Sequence, residues 1–469
     1  MSASLDELSS RLRPIGQEHV LRFWRELGEA ERAELASEVE ALDLPLVERL
    51  AQEARAPKPA EAGALSPPRV VSPADGTLSR EEIEAARRDG EALLRDGRVA
   101  FVMVAGGQAT RLGIDAPKGT LPIGPVSKRS LFGMHADRVR AIGRRAGRTP
   151  LWFVLTSPMN HRATERFFVE QGFFGLPPER VALEPQGTVP AFDRLGRLVL
   201  ASRSRLFRNP DGHGGSLLAL ARSGFLHRCR AEGADQLFYF QVDNPLARLG
   251  EPLFLGLHAR ARAGMSSKVV AKRDAGEKVG VLALRGGRVV CVEYSDLPAS
   301  LRDATDAKGR LLYRAGNIAI HALSVPFVES LTRGGLALPW HRAEKKVAGV
   351  RDDGTVGDMP GVKFETFVFD ALARSESSVT LEVDRADEFA PVKNAEGDDS
   401  PATARRALCA YFERWLRKAG LPAPPPGPEG YPVVEVHPHF AFDFAEFQAK
   451  RARVPAPSGS ALYVSPDLA

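Results

Sequence analysis

The chain has 469 residues, ample for a large core and, at ~100–200 residues per domain, for two or three domains. Hydrophobic residues at 43% and charged residues at 26% exclude a disordered or fibrous chain, and no apolar run approaches the ~18 residues of a membrane span. The net charge of +5 comes from 64 basic residues spread among 59 acidic ones, with no long basic run and no RNA-binding or zinc-finger signature; this argues against nucleic acid and suits an enzyme of polyanionic nucleotides.

The first residues, Met-Ser-Ala-Ser-Leu-Asp-Glu-Leu, lack the apolar region of a signal peptide. Cys229, Cys291 and Cys409 are too few and too far apart for a disulfide framework or a metal cluster, so a reducing cytoplasm is the expected compartment. Residues 1–55 carry apolar side chains at helical spacing: Leu5, Leu8 and Leu12, then Val20, Phe23, Trp24 and Leu27, then Leu35, Val39 and Leu42. Residues 57–73 are rich in Pro and Ala and read as a surface connector. Ser79 caps a further helix with an acidic first turn, which ends near Asp96-Gly97. Residues 1–98 are therefore expected to form an N-terminal helical region packed on the remainder of the chain.

From residue 99 strands and helices alternate. Strands are predicted at 99–104, 150–155, 180–183 and 237–242, and helices at 131–142, 160–171 and 214–226. This order predicts an α/β fold, a central and mostly parallel Rossmann-like sheet with helices on both faces. Ligands of such sheets bind beyond the carboxyl ends of the strands. Gly106, Thr156, Gln186 and Asp243 each follow a predicted strand, so four chemically apt loops share one edge. After 265 the pattern is richer in β, with strands at 267–272, 279–284, 288–294 and 316–322 and a hairpin turn at Arg285-Gly286-Gly287. A helix at 404–416, a Pro-rich linker at 422–428 and a strand from Val433 form a small β-rich C-terminal unit. The expected division is 1–98, a catalytic domain at 99–403, and 404–469.

The stretch Phe101-Val-Met-Val-Ala105-Gly106-Gly107-Gln108-Ala109-Thr110-Arg111-Leu-Gly113 through Pro117-Lys118-Gly119 carries the chemistry. Its two adjacent glycines allow positive φ and leave no Cβ between backbone and ligand, and successive N–H groups in such a turn can face one anion. Arg111 and Lys118 add cationic side chains to the same loop. The Walker and dinucleotide patterns are both absent, because Gly107 and Gly113 are misspaced and Lys118 precedes Gly119. Pro117 disfavours a long helix starting at Gly113.

The stretch resembles the signature of sugar-nucleotide pyrophosphorylases, Leu-x-x-Gly-Gly-x-Gly-Thr-x-Leu-Gly-x-x-x-Pro-Lys, with Ala109 in place of the third glycine. Within that group, Gly-Gly-Gln-x-Thr-Arg-Leu-Gly with Pro-Lys-Gly is most similar to the eukaryotic-type UDP-N-acetylhexosamine pyrophosphorylases. Further segments keep the same order along the chain. Val242-Asp243-Asn244 resembles the family's strand end, whose aspartate binds the metal; the same residues also suit an Asx turn before Pro245. Gln186-Gly187 with Pro190 resembles the segment whose glutamine bonds the uracil edge. Pro210-Asp-Gly-His213-Gly214-Gly215 resembles a nucleotide-binding loop, with His213 where the N-acetylhexosamine enzymes carry asparagine and UDP-glucose enzymes often carry histidine. Glu293 and Asn317 lie in segments similar to the family's sugar-binding pair, and 364–370 is similar to its aromatic wall, although plain core explains those aromatics equally well. Glu388-Phe-Ala-Pro-Val-Lys393-Asn resembles the motif whose lysine meets the phosphates.

The resemblance implies a nucleotidyltransferase fold and a reaction of UTP with a sugar 1-phosphate. The sugar phosphate would attack the α-phosphate in line and expel pyrophosphate. Such a transfer needs positioning and charge neutralisation, with little covalent work. The implied roles are Arg111, Lys118 and Lys393 for the phosphates, Asp243 for Mg²⁺, and Ala105, Gly106, Gly107, Gln186, Gly214 and Gly215 for the nucleotide. His213, Asn244, Glu293 and Asn317 fall to the sugar. N-acetylglucosamine 1-phosphate is the expected acceptor; a UDP-glucose or broad UDP-sugar enzyme and a non-catalytic nucleotide-sugar-binding regulator are the alternatives. The presence of Arg111, Lys118, Asp243 and Lys393 together disfavours the regulator.

Overall fold

Val99–Val104 is buried at every position, as a strand covered on both faces must be. The computed structural model describes residues 3–57, 63–108 and 110–468. Ala109 and residues 58–62 of the expected connector lie outside the described residues. Val99–Val104 pairs in parallel with Gln236–Gln241 on one side and Trp152–Thr156 on the other, and Trp152–Thr156 pairs in parallel with Val181–Pro185. Beyond Gln236–Gln241 the sheet becomes mixed, because Ala315–Ser324 runs antiparallel to it and Met265–Ala271 antiparallel to that. Trp152 meets Phe168 of helix His161–Glu170 with ring centroids 5.7 Å apart, while its neighbour Phe153 meets Phe225 of helix Phe225–Ala231 at 5.1 Å. Successive strand residues face opposite sides, so helices cover both faces of the sheet.

The chain divides into two compact units. The larger, Ala64–Pro185, Ser216–Leu336 and Phe369–Ala469, holds the central sheet. Helix Arg80–Arg95 begins at the Ser79 cap that the sequence predicts, with Glu82 completing a capping box, and packs on helix Pro252–Arg260. Gly90 and Gly256 make that approach possible, because a Cβ on either would collide with backbone of the other helix. Val434, Val436, Leu462 and Val464 of the C-terminal segment join the same buried cluster as Phe101 and Phe132. The 404–469 region therefore shares the core of the sheet rather than having its own.

The smaller unit comprises Met1–Gly63, Gln186–Gly215 and Ala337–Val368. Helices Leu5–Leu12, Glu29–Glu40 and Leu44–Arg55 bury Leu12, Leu35, Val39 and Leu50 against Phe192, Leu200, Val362 and Phe364. Gln17, fully buried, donates from Nε2 to the Gly196 carbonyl at 2.9 Å and accepts from the Leu198 N–H at 2.8 Å. A long hairpin, His341–Val350 with Val356–Glu365, completes the unit.

Several local readings are corrected. The expected connector contains Leu65–Ser66 and Val70–Val71, two-residue strands that pair with Val281–Arg285 and Thr380–Glu382 at the sheet's margin. Strands this short tolerate flanking prolines, because few N–H groups are needed. The helix expected at 214–226 is two, Gly215–Arg222 and Phe225–Ala231, separated at Gly224, whose φ of +76° stops the first. The 341–365 hairpin went unpredicted because His341–Val350 carries its charged residues in a run, Glu344-Lys345-Lys346, instead of alternating them. The compact units also do not divide at 98 and 403: residues 1–63 and 64–98 belong to different units.

Candidate active site

In the larger unit three chain segments meet beyond the carboxyl ends of the parallel strands, and a fourth lies on the adjoining antiparallel strands. The first is the glycine loop after Val99–Val104. Ala105 donates to the Leu155 carbonyl at 2.7 Å, and the Gly107 carbonyl accepts from the Lys118 N–H at 3.2 Å, so the loop folds back and returns Lys118 to the strand end. Gln108 and Pro117 close it with a β-bridge. Thr110–Leu112 and Lys118–Thr120 are single 3-10 turns, so no long helix follows Gly113. Arg111 sits in the first of these turns.

The second segment follows Gln236–Gln241. The Val242 N–H donates to the Val104 carbonyl at 3.0 Å, which carries the parallel pairing to the strand tip and places Asp243 beside the loop. Lys118 Nζ stands 3.7 Å from Asp243 Oδ2, both side chains mostly but not wholly covered, at 16% and 19% exposure. The third is the Glu388–Asn394 segment. The Val392 N–H donates to the Asp243 carbonyl at 2.8 Å, and the half-exposed Lys393 puts Nζ 3.4 Å from Asp399 Oδ2.

Asn244 has a different part from the expected sugar contact. Its Nδ2 donates to the Glu388 carbonyl at 2.7 Å, and its Oδ1 accepts from Leu246 at 3.3 Å and Ala390 at 3.1 Å. With only 3% exposure, this amide is engaged in holding the Lys393 segment against the Asp243 turn. Glu388 is held in turn by Lys268, a fully buried lysine whose Nζ lies 2.6 Å from Glu388 and 2.7 Å from Glu251.

The fourth segment brings Glu293 and Asn317 together. Val281–Arg285 pairs with both Arg288–Val292 and Ala315–Ser324, so the two residues stand at neighbouring strand positions. A Cβ on Gly280 would stand 3.3 Å from Glu293 Oε1 and 3.2 Å from Cys291 Sγ, so both side chains lie close against this glycine. Asn317 donates from Nδ2 to Cys291 Sγ at 3.6 Å and accepts at Oδ1 from the Ala319 N–H at 3.0 Å. Burial pushes the Cys291 thiol up, so it stays protonated and is no nucleophile.

In the smaller unit Gln186, His213, Gly214 and Gly215 share one cradle. Gln186 donates from Nε2 to Asp211 Oδ1 at 3.3 Å and to the Gly212 carbonyl at 3.4 Å. The Gly214 N–H donates to the Thr366 carbonyl at 2.9 Å, and the Thr366 hydroxyl to the Asp211 carbonyl at 2.8 Å. A Cβ on Gly214 would stand 2.7 Å from Thr366 Oγ1 and 2.8 Å from the Phe367 nitrogen. His213 Nδ1 accepts from the Val368 N–H at 3.1 Å, and its ring lies 5.2 Å from that of Phe367. Burial, with His341 nearby, pulls the imidazole down to about 4, so the ring is neutral at pH 7 with its proton on Nε2. Of the aromatic segment, Phe364 is core, packed edge-on to Phe192 at 5.9 Å.

Three residues carry this geometry without having been singled out by motif. Asn160 donates from Nδ2 to the carbonyls of Ala105 at 3.0 Å and Gly107 at 3.4 Å, and so pins the glycine loop. Thr366 pins the cradle. Lys268 could have been noticed as a lysine inside an apolar strand, but nothing local tells which carboxylates it meets.

A glycine loop, an acidic strand end and two lysines at the carboxyl edge of a parallel sheet define an α/β enzyme that handles nucleotides. The chain matches the family model of UTP–glucose-1-phosphate uridylyltransferase over residues 51–457, and it belongs to that family of uridylyltransferases. It is 35% identical to human UDP-N-acetylhexosamine pyrophosphorylase-like protein 1, with 93% of this chain and 92% of that protein covered. It is 34% identical to the UDP-N-acetylglucosamine pyrophosphorylase of Saccharomyces cerevisiae, with 73% and 74% covered. The solved UDP-N-acetylglucosamine pyrophosphorylase of Trypanosoma brucei superposes with a TM-score of 0.83 at 27% identity, covering 100% of this chain and 99% of that one. No helix among the described residues is long and apolar enough to cross a membrane.

Proposed function

We propose that the chain transfers uridylyl from UTP to N-acetylglucosamine 1-phosphate, giving UDP-N-acetylglucosamine and pyrophosphate. The observation that carries this reading is the meeting of Lys118, Asp243 and the Lys393 segment at one strand tip, in a chain whose relatives bear that activity in their names. Attacking and attacked groups are both anions, so cations must offset their repulsion. Lys118, with Arg111, neutralises the triphosphate and the leaving pyrophosphate, and Lys393 neutralises the sugar phosphate and the α-phosphate. The attacking phosphate is already ionised, so no general base is needed. Gln186 reads the uracil edge, with Gly106, Gly107, Gly214 and Gly215 admitting the nucleotide. Glu293 and Asn317 take the sugar, and Asn244 positions the Lys393 segment.

Magnesium fits this donor set. Among the described residues no three His, Cys, Asp or Glu form a closed cage, and Mg²⁺ prefers one or two carboxylates with substrate oxygens and water completing its shell. Asp243 is the carboxylate that would hold it, and the bound ion would supply charge neutralisation on the phosphates. His213 favours a second reading, a UDP-glucose or broad UDP-sugar enzyme. Pyrophosphate release from UTP with a panel of sugar 1-phosphates decides between them. N-acetylglucosamine 1-phosphate is expected to give the highest kcat/KM, whereas a higher value for glucose 1-phosphate establishes the second reading. No release with any sugar overturns both.

A further inference from the structure

The larger unit contains a cavity of about 440 Å³ that none of the residues assigned to nucleotide, sugar, phosphate or metal lines. That volume lies within the ~300–1,000 Å³ of pockets that enclose small ligands. Its wall is formed by helix Leu131–Ala146, helix Pro401–Lys418, the 246–252 segment and the C-terminal segment from Glu435 onward. Tyr411, Phe412, Trp415 and Phe442 give it an aromatic side. The Trp415 ring lies 5.3 Å from Tyr411 and 5.5 Å from Phe412, so these rings form one packed surface.

Apart from the exposed Glu91, the charged groups around it are matched with one exception. Arg129 makes two hydrogen bonds to Asp137, each 2.8 Å, and Arg145 meets Asp443 at 3.1 Å. Glu435 accepts from the N–H groups of Val126 and Ser127 at 2.7 and 2.8 Å and from the Ser127 hydroxyl at 2.6 Å. Arg248 reaches Glu251 and Glu388 at 3.8 and 3.9 Å. Arg138 has neither a hydrogen bond nor an ion pair among the described residues; Asp137 and Glu435 act on it only at longer range, and its Nη1 is wholly out of solvent contact. Burial pushes its guanidinium down to about 10, which still leaves it charged at neutral pH. Arg138 as a whole is part-buried, but a guanidinium nitrogen shut off from water without a partner is rare in folded proteins, because the lost hydration is not replaced. Here it lines a cavity, beside rings that would cover an apolar body.

We propose that this cavity is a second ligand site, for a small aromatic oxyanion. The carboxylate or phosphate of the ligand takes the Arg138 fork, and its ring packs against Trp415, Phe412 and Phe442. The planar guanidinium suits either headgroup bidentately.

Calorimetric titration of the full chain, held at saturating UTP, tests this with four probes: benzoate, phenyl phosphate, benzyl alcohol and inorganic phosphate. Benzoate or phenyl phosphate should bind once per chain, at least about tenfold more tightly than the neutral ring or the bare phosphate; the tighter of the two identifies the headgroup. Arg138→Gln should weaken that binding by at least about tenfold, the difference one lost charged contact makes. Arg138→Lys should restore part of it, and UTP binding should not change in either variant. Should Arg138→Gln fail to fold, Met134→Trp, which fills the cavity from helix Leu131–Ala146, should abolish binding of both anions. Absence of binding by both aromatic anions at millimolar concentration overturns the proposal. So does binding that UTP displaces, or binding that survives both Arg138→Gln and Met134→Trp.

Discussion

In the larger unit the candidate phosphate and metal residues are charged side chains in loose mutual contact: Lys118 stands 3.7 Å from Asp243, and Lys393 stands 3.4 Å from Asp399 while half exposed. In the smaller unit they are Gln186, two glycines and a neutral ring; the Gly214 N–H donates to the Thr366 carbonyl, and the ring accepts from the Val368 N–H. On the proposed reading, the first group exchanges these loose partners for phosphate oxygens. The second is a shape, and its residues are set by close approach. On that reading, chemistry and shape thus fall to different compact units. Substitution in the first should act on turnover, and substitution in the second on stability and substrate affinity.

The largest effect is expected at Lys118. Lys118→Ala should lower kcat by about 100- to 1,000-fold, the scale of removing one preorganised group that faces developing charge. The thermal midpoint should hardly move, since the ion pair it loses is loose. A variant with near wild-type kcat, or one that loses kcat only by melting, would break the division. Asp243→Asn should lower kcat by about 100-fold and abolish the response to added Mg²⁺, with the fold intact, because the amide keeps the shape and removes the charge. Titration of activity against Mg²⁺ checks this, and an unchanged midpoint would move the metal elsewhere.

In the smaller unit, Gly214→Ala should destabilise by about 1–3 kcal/mol, the cost of forcing a methyl into a filled space. Urea unfolding reads this directly, and KM for UTP should rise while kcat at saturation falls less than in Lys118→Ala. The smallest effect is expected at His213. Its ring titrates near 4 when folded against 6.5 when free. Between those values the unfolded chain binds the extra proton, so the ring's contribution is intact above pH 6.5 and is lost as pH falls toward 4. The stability of the wild type relative to His213→Asn should therefore shrink from pH 7.5 to 4.5. A constant difference across that range would mean that the ring is not held neutral. The same variant should sharpen the preference for N-acetylglucosamine 1-phosphate in the panel assay.

Much of the larger unit's chemistry is legible without a structure. An apolar run at 99–104 can only be a covered strand, a double glycine after it can only be a tight turn, and Ser79 before an acidic first turn caps a helix. These are signals carried by neighbours in sequence, where periodicity and backbone sterics act. The order of the motifs along the chain likewise singles out Lys118, Asp243 and Lys393 without any distance. Other features depend on partners remote in sequence. That residues 1–63 share a core with 186–215 and 337–368 follows from Gln17, Phe192 and Val362 packing together, which no local pattern encodes. That Asn160 pins the glycine loop, that Asn244 holds the Lys393 segment, and that Lys268 sits between two carboxylates are likewise matters of which groups meet once water is excluded. Which residues can do the chemistry depends on side-chain type and local backbone freedom, and both are written in the chain itself. Which of them position the others was settled only on folding, because a buried polar group must find its partner wherever the fold brings one.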